Sequence, residues 1–136
     1  MTFPSHKAPA SGAQSLIGYN IDLTAPDGSS RVVLDVQEQH LNRNGTLHGG
    51  IHSMMLDAAA GFAASRRLAD GSQNLVPVVT LSLTTSFLGA GGTGQVIATG
   101  KVTGGGHKII YGEAEIHDSE GRLLSKGAAV FKRITP

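Results

Sequence analysis

Cysteine is absent from the 136-residue chain, which removes disulfides, a thiolate nucleophile and any cysteine-based zinc site. An excess of charge of one sign is absent too. Eleven basic and ten acidic residues leave a formal net charge of +1, spread with no block of either sign. Such blocks mark proteins that gather nucleic acid or a membrane surface, so neither partner is expected. The longest apolar run, Ile51 to Ala64, is broken by His52, Ser53 and Asp57 and is too short to cross a bilayer. Met1 to Ala13 lack the charged start and apolar stretch of a secretory signal, and nothing repeats internally. A cytoplasmic location is the resulting expectation. What remains is 40% apolar, enough for a globular core, in a length that suits one domain.

Residues 1–14, rich in Pro, Ser, Ala and Gly, read as a flexible lead-in to a single domain over 15–136. Leu16 to Leu23 and Arg31 to Gln37 are β-type runs joined through the turn signal Pro26-Asp27-Gly28. Glu38 to Leu47 reads as a loop. From Gly49 to about Leu68 the pattern becomes a helix that is apolar almost all round, hence buried, ended in solvent by Arg66, Arg67 and Asp70-Gly71. Val79 to Phe87 alternates apolar with Thr and Ser, the mark of a half-buried strand. Gln95 to Thr103, Lys108 to His117 and Leu123 to Arg133 follow as strands. The layout is α+β: a hairpin, one buried helix, then an antiparallel four-strand meander. A sheet curled round one helix keeps an outer face and two edges, so self-association as a homodimer or homotetramer is expected.

The chemistry concentrates around that helix. Asp57 sits among Leu56 and Ala58 to Ala60, where an unpaired carboxylate costs several kcal/mol. Either a distant Arg or backbone donor satisfies it, or it is a catalytic carboxylate, since such groups concentrate at active sites. Gly49 and Gly50 open the helix, whose first turn carries unsatisfied N–H groups and partial positive charge. Without side chains they form a tight turn, or else let a ligand carbonyl reach those N–H groups as an oxyanion hole.

The run Asn42…Gly45-x-x-His48-Gly49-Gly50, with Asp57 nine residues after the histidine, resembles the signature of PaaI-like hot-dog acyl-CoA thioesterases. The order hairpin, long helix, four strands is similar to the hot-dog fold across the domain. The resemblance implies an acyl-CoA substrate hydrolysed to a free acid and coenzyme A, with no separate cofactor. It implies that the Gly49 N–H holds the thioester oxygen and that Asp57 acts as general base or nucleophile. Asn42 would position the water or thioester, His48 would hold the Asn42 loop against the helix start, and Thr80 would assist from the following strand. Some members carry a hydroxyl one turn beyond the carboxylate, where this chain has Gly61. Gly104-Gly105-Gly106-His107-Lys108 resembles a loop the family uses near the nucleotide, which makes His107 and Lys108 candidates for coenzyme A, with Arg66 and Arg67 behind them.

Other signals carry less. Gly89-Ala90-Gly91-Gly92-Thr93-Gly94 fits a dinucleotide pattern but runs into strand rather than helix, so it reads as a flexible hairpin. His48 and His52 lack the third ligand a metal needs, and no metal is expected. Two rival functions remain: a hot-dog dehydratase or hydratase on acyl-CoA or acyl-carrier protein, which needs a His–acid pair at the acyl chain, and a non-catalytic acyl-CoA-binding module. Gly49 and Asp57 lie eight residues apart, about 12 Å along one helix, so a shared thioester calls for two subunits.

Overall fold

The computed structural model describes residues 3–4, 10–72, 74–91 and 93–134. In chain order it comprises β1 (Phe3–Pro4), α1 (Gly12–Ile17), β2 (Asn20–Asp22), β3 (Ser30–Val36), α2 (Gly49–Ala69), β4 (Asn74–Leu75), β5 (Val78–Phe87), β6 (Gly94–Gly105), β7 (Ile109–Asp118) and β8 (Leu123–Arg133). β2, β3, β6, β7, β8 and β5, in that spatial order, form one six-stranded antiparallel sheet, and β1 pairs with β4 in a small second one. The large sheet curls round α2 without closing, the α+β hot-dog arrangement expected from the sequence. Of the expected lead-in, residues 1–2 and 5–9 lie outside the described ones.

The core is the seam between α2 and the inner sheet face. Val32, Leu34, Met55, Leu56, Ile110, Ile116 and Phe131 are all essentially inaccessible to solvent. The tightest approach is at Gly100 of β6, where a Cβ would run into the backbone carbonyl of Ala59. Small residues on both sides (Ala59, Ala60 and Gly100) let the helix axis lie close to the sheet, and no larger pair could.

Several local expectations are corrected. Leu16 and Ile17 belong to α1, not to a strand. Ser11 caps that helix by accepting from the Gln14 N–H at 3.1 Å, and Gly18, at φ +90°, ends it. The loop at 38–47 contains a 3₁₀ turn, Glu38–His40, whose buried His40 accepts from the Gln37 N–H at 2.9 Å and donates to the Ile17 carbonyl at 2.7 Å. Arg66 does not end in solvent, because its guanidinium donates to the carbonyls of Ser29 and Ala25 and pins the β2–β3 turn.

The meander is three strands, not four. β5 leaves the helix, pairs with the last strand β8 and becomes an edge, so the glycine-rich stretch before β6 is a crossover rather than a hairpin. It is held by the Leu88 and Gly89 N–H groups on the Leu124 carbonyl, both at 2.9 Å, and by the Leu47 N–H on the Gly91 carbonyl at 2.6 Å. Long-range pairing of this kind leaves no mark in local sequence.

Candidate active site

The helix is not buried all round. Ser53, Met54, Asp57, Ala58, Gly61 and Phe62 form a stripe at helical spacing that the sheet leaves half-covered. Asp57 lies in its middle, half-buried, and its Oδ1 accepts a short hydrogen bond from Thr80 Oγ1 at 2.6 Å. A β-bulge between Thr80 and Ser82 explains why a threonine faces the helix. On the Thr80 side of the bulge the polar residue turns inward, and Val79 and Leu81 are left 47% and 54% exposed outside. The expected alternation of β5 is therefore present, but near the helix it buries the opposite face.

Asp57 and Thr80 border a cleft of about 300 Å³ walled by Tyr19, Phe62, Val78 and Phe131, with Ser65 at its margin. Gly61 lines it too, and a Cβ there would come within 3.3 Å of the Phe131 ring. A side chain there would press on that ring, and the hydroxyl beside Asp57 comes from Thr80 on the strand side. Burial, and then the negative charge of Asp57, push the Tyr19 phenol above its usual pKa, against a smaller downward pull from the Ser11 hydroxyl.

The start of α2 forms a second cluster. His48 is the N-cap, and its Nδ1 accepts from the Gly50 N–H at 2.8 Å. Gly50 therefore gives its N–H to the cap, and the Gly49 N–H is the one with no acceptor among the described residues. The His48 imidazole caps its own helix and does not hold the Asn42 loop. Backbone does that, through the His48 N–H on the His40 carbonyl at 2.9 Å. Asn42 Oδ1 accepts from the Asn44 and Thr46 N–H groups at 2.9 and 3.1 Å, folding the 42–46 turn upon itself.

Asp57 and Thr80 thus meet, and His48, Gly49 and Gly50 stand at the helix start after the 42–46 turn that Asn42 closes, with Asp57 eight residues further along the helix. His107 and Lys108 are exposed on the β6–β7 turn and line no part of the cleft. Met55 is core at 0% exposure, whereas Met54 and Phe62 face the half-covered side. Sequence reasoning missed Tyr19, Ser65 and Phe131, which reach the cleft from the α1–β2 connection, from α2 and from β8. It also missed the buried His52–Ser125 hydrogen bond, 2.7 Å long, between residues 73 apart in sequence. Burial holds the His52 pKa below its ordinary value. Among the described residues no group of three His, Asp or Glu side chains could hold a metal, and no helix is long and apolar enough to cross a membrane.

A Pseudomonas aeruginosa protein named "putative esterase" is 31% identical over 101 residues, covering 74% of this chain and 72% of its own length. The thioesterase HI1161 of Haemophilus influenzae superposes with a TM-score of 0.82 at 22% identity, over 93% of this chain and 85% of that one. The Escherichia coli PaaI protein, from the phenylacetic acid degradation operon, gives 0.78 at 22% identity, over 92% and 86%. At those identities the two structures establish the shared fold. Residues 44–125, which contain His48, Gly49, Gly50, Asp57 and Thr80, match the family model of the thioesterase superfamily, and the chain belongs to that superfamily of thioester hydrolases.

Proposed function

We propose that this protein is an acyl-CoA thioesterase whose active sites are each shared between two copies of the chain. The observation that carries the reading is Asp57: a carboxylate in the half-covered stripe of an otherwise apolar helix, fixed by a 2.6 Å bond from Thr80 at the wall of a cleft. A carboxylate so placed has one face held and the other turned toward whatever fills the cleft.

In the proposed reaction Asp57 takes a proton from water as the water oxygen bonds to the thioester carbonyl carbon. Negative charge passes to the carbonyl oxygen, where the Gly49 N–H of the second subunit and the positive end of its helix receive it. The carbon–sulfur bond then breaks, and the thiolate of coenzyme A leaves and takes up a proton. A direct attack by Asp57, giving an anhydride that water opens, uses the same groups. Lys108 and His107 are assigned to the coenzyme A phosphates on the strength of the resemblance and their exposure.

Two features support sharing. Gly49 and Asp57 are eight residues apart on one helix, about 12 Å, beyond the reach of one carbonyl. The stripe that carries Asp57 is half-covered, and the ten-residue β5 is an edge strand of the sheet among the described residues, with Val79 and Leu81 exposed. A second copy related by a two-fold axis along that edge covers the stripe and sets each helix start beside the partner's Asp57. The dehydratase reading finds less support, because His48 is engaged in capping and does not face the cleft.

The test is release of free thiol from a panel of aryl- and alkyl-acyl-CoAs. Asp57→Asn should lower turnover at least about 100-fold while binding persists. Co-refolding Asp57→Ala with an inactive Gly49→Pro variant should restore activity near a quarter of wild type, because about half the dimers are mixed and each mixed dimer holds one intact site. Mixed dimers with no activity would sink the shared site.

A further inference from the structure

The helix start has a neighbour that the proposed reaction leaves unused. Phe87, the last residue of β5, lays its ring over Gly49: a Cβ built there would lie 3.5 Å from two of the ring carbons. The ring meets the His52 imidazole edge-on, with centroids 5.4 Å apart and planes at 84°. His52 in turn is hydrogen-bonded at 2.7 Å to Ser125, which is fully buried and stands opposite Phe87 in the β5–β8 register. Ser53 adds a second tie from α2 to β5 through Thr85, at 3.1 Å.

This arrangement has an unusual balance of exposure. Phe87 remains 55% exposed although it packs on a helix and an imidazole, and the residues beneath it, His52 and Ser125, are 3% and 0% exposed. A phenylalanine kept half in water by a buried polar pair contributes less to the core than a ring turned inward. What it does cover is the backbone beside the Gly49 N–H, the donor with no acceptor among the described residues. A donor is worth more when an apolar wall keeps water from competing for it, because the local dielectric falls.

We propose that Phe87, propped by the His52–Ser125 pair, is a positioning residue that shields the Gly49 N–H and aligns the group it receives. The inference rests on the oxyanion role given to Gly49 above. His52 stays neutral and buried in this role, and its part is mechanical: it fixes the distance of the ring from the helix start.

The test has two arms, read on the purified full-length protein. The first is hydrogen–deuterium exchange at the Gly49 amide, which reports shielding whether or not the protein turns over a thioester. Phe87→Ala should accelerate it several-fold, Ser125→Ala should do so by freeing the prop, and Phe87→Tyr should restore protection. The second is kinetic. Phe87→Ala should lower kcat between about 10- and 100-fold with KM little changed, as a small misplacement at a reacting centre does, and Phe87→Tyr should recover it. Unchanged exchange at Gly49 in Phe87→Ala overturns the proposal, as does a kcat equal to wild type. A wild-type protein that cleaves no thioester overturns the proposed function instead, and the exchange arm alone then decides the role of Phe87.

Discussion

Replacing Thr80 by valine removes one hydroxyl from the site and changes almost nothing else. The two side chains have nearly the same shape, and Thr80 is half-buried against the cleft, so the walls of the pocket survive. What is lost is the 2.6 Å bond onto Asp57 Oδ1. A short hydrogen bond to a charged acceptor contributes roughly 1.5 to 3 kcal/mol. If it orients the carboxylate toward the attacking water, its loss should appear in the transition state, where each 1.36 kcal/mol is about tenfold in rate. The expected outcome is a kcat reduced between about 10- and 150-fold, with KM within about twofold of wild type. Thiol release from a saturating acyl-CoA, followed with a thiol-reactive chromophore, measures both constants, and Thr80→Ser should recover most of the loss. A valine variant with wild-type kcat would show that the bond holds strand to helix and has no part in the chemistry.

Three further outcomes follow from particular contacts. Gly100→Ala drives a methyl group into the Ala59 carbonyl and should lower stability by about 3 kcal/mol or more, read as a lower midpoint in urea at unchanged slope. His52 has a folded-state pKa held by burial below the ordinary 6.5, so as pH falls below about 6.5 the unfolded chain takes up a proton that the folded one resists. Stability should therefore decline from about pH 6.5 downward, and thermal melts of His52→Gln should lose that part of the slope. Lys108→Ala should raise KM for acyl-CoA several-fold at unchanged kcat and leave a pantetheine thioester unaffected, because only the nucleotide phosphates are in question.

The sequence by itself determined the central helix, the strands after it and the identity of the polar residues at the helix start and middle. Those are local signals: an apolar run of helical length, alternation with period two, glycines before a helix, and one aspartate among alanines. It also determined that Gly49 and Asp57 stand too far apart on one helix to meet, since helical rise is a constant. Tertiary structure decided the rest. That β5 pairs with β8 and not with β6 depends on contacts between residues about forty-five positions apart, which no local pattern encodes. The bulge after Thr80, which turns a hydroxyl toward Asp57, follows from the register of that pairing. The same is true of Tyr19 and Phe131 at the cleft and of His52, Ser125 and Phe87 at the helix start. Each is an ordinary residue in its own segment and becomes part of a site only when distant elements close upon the helix.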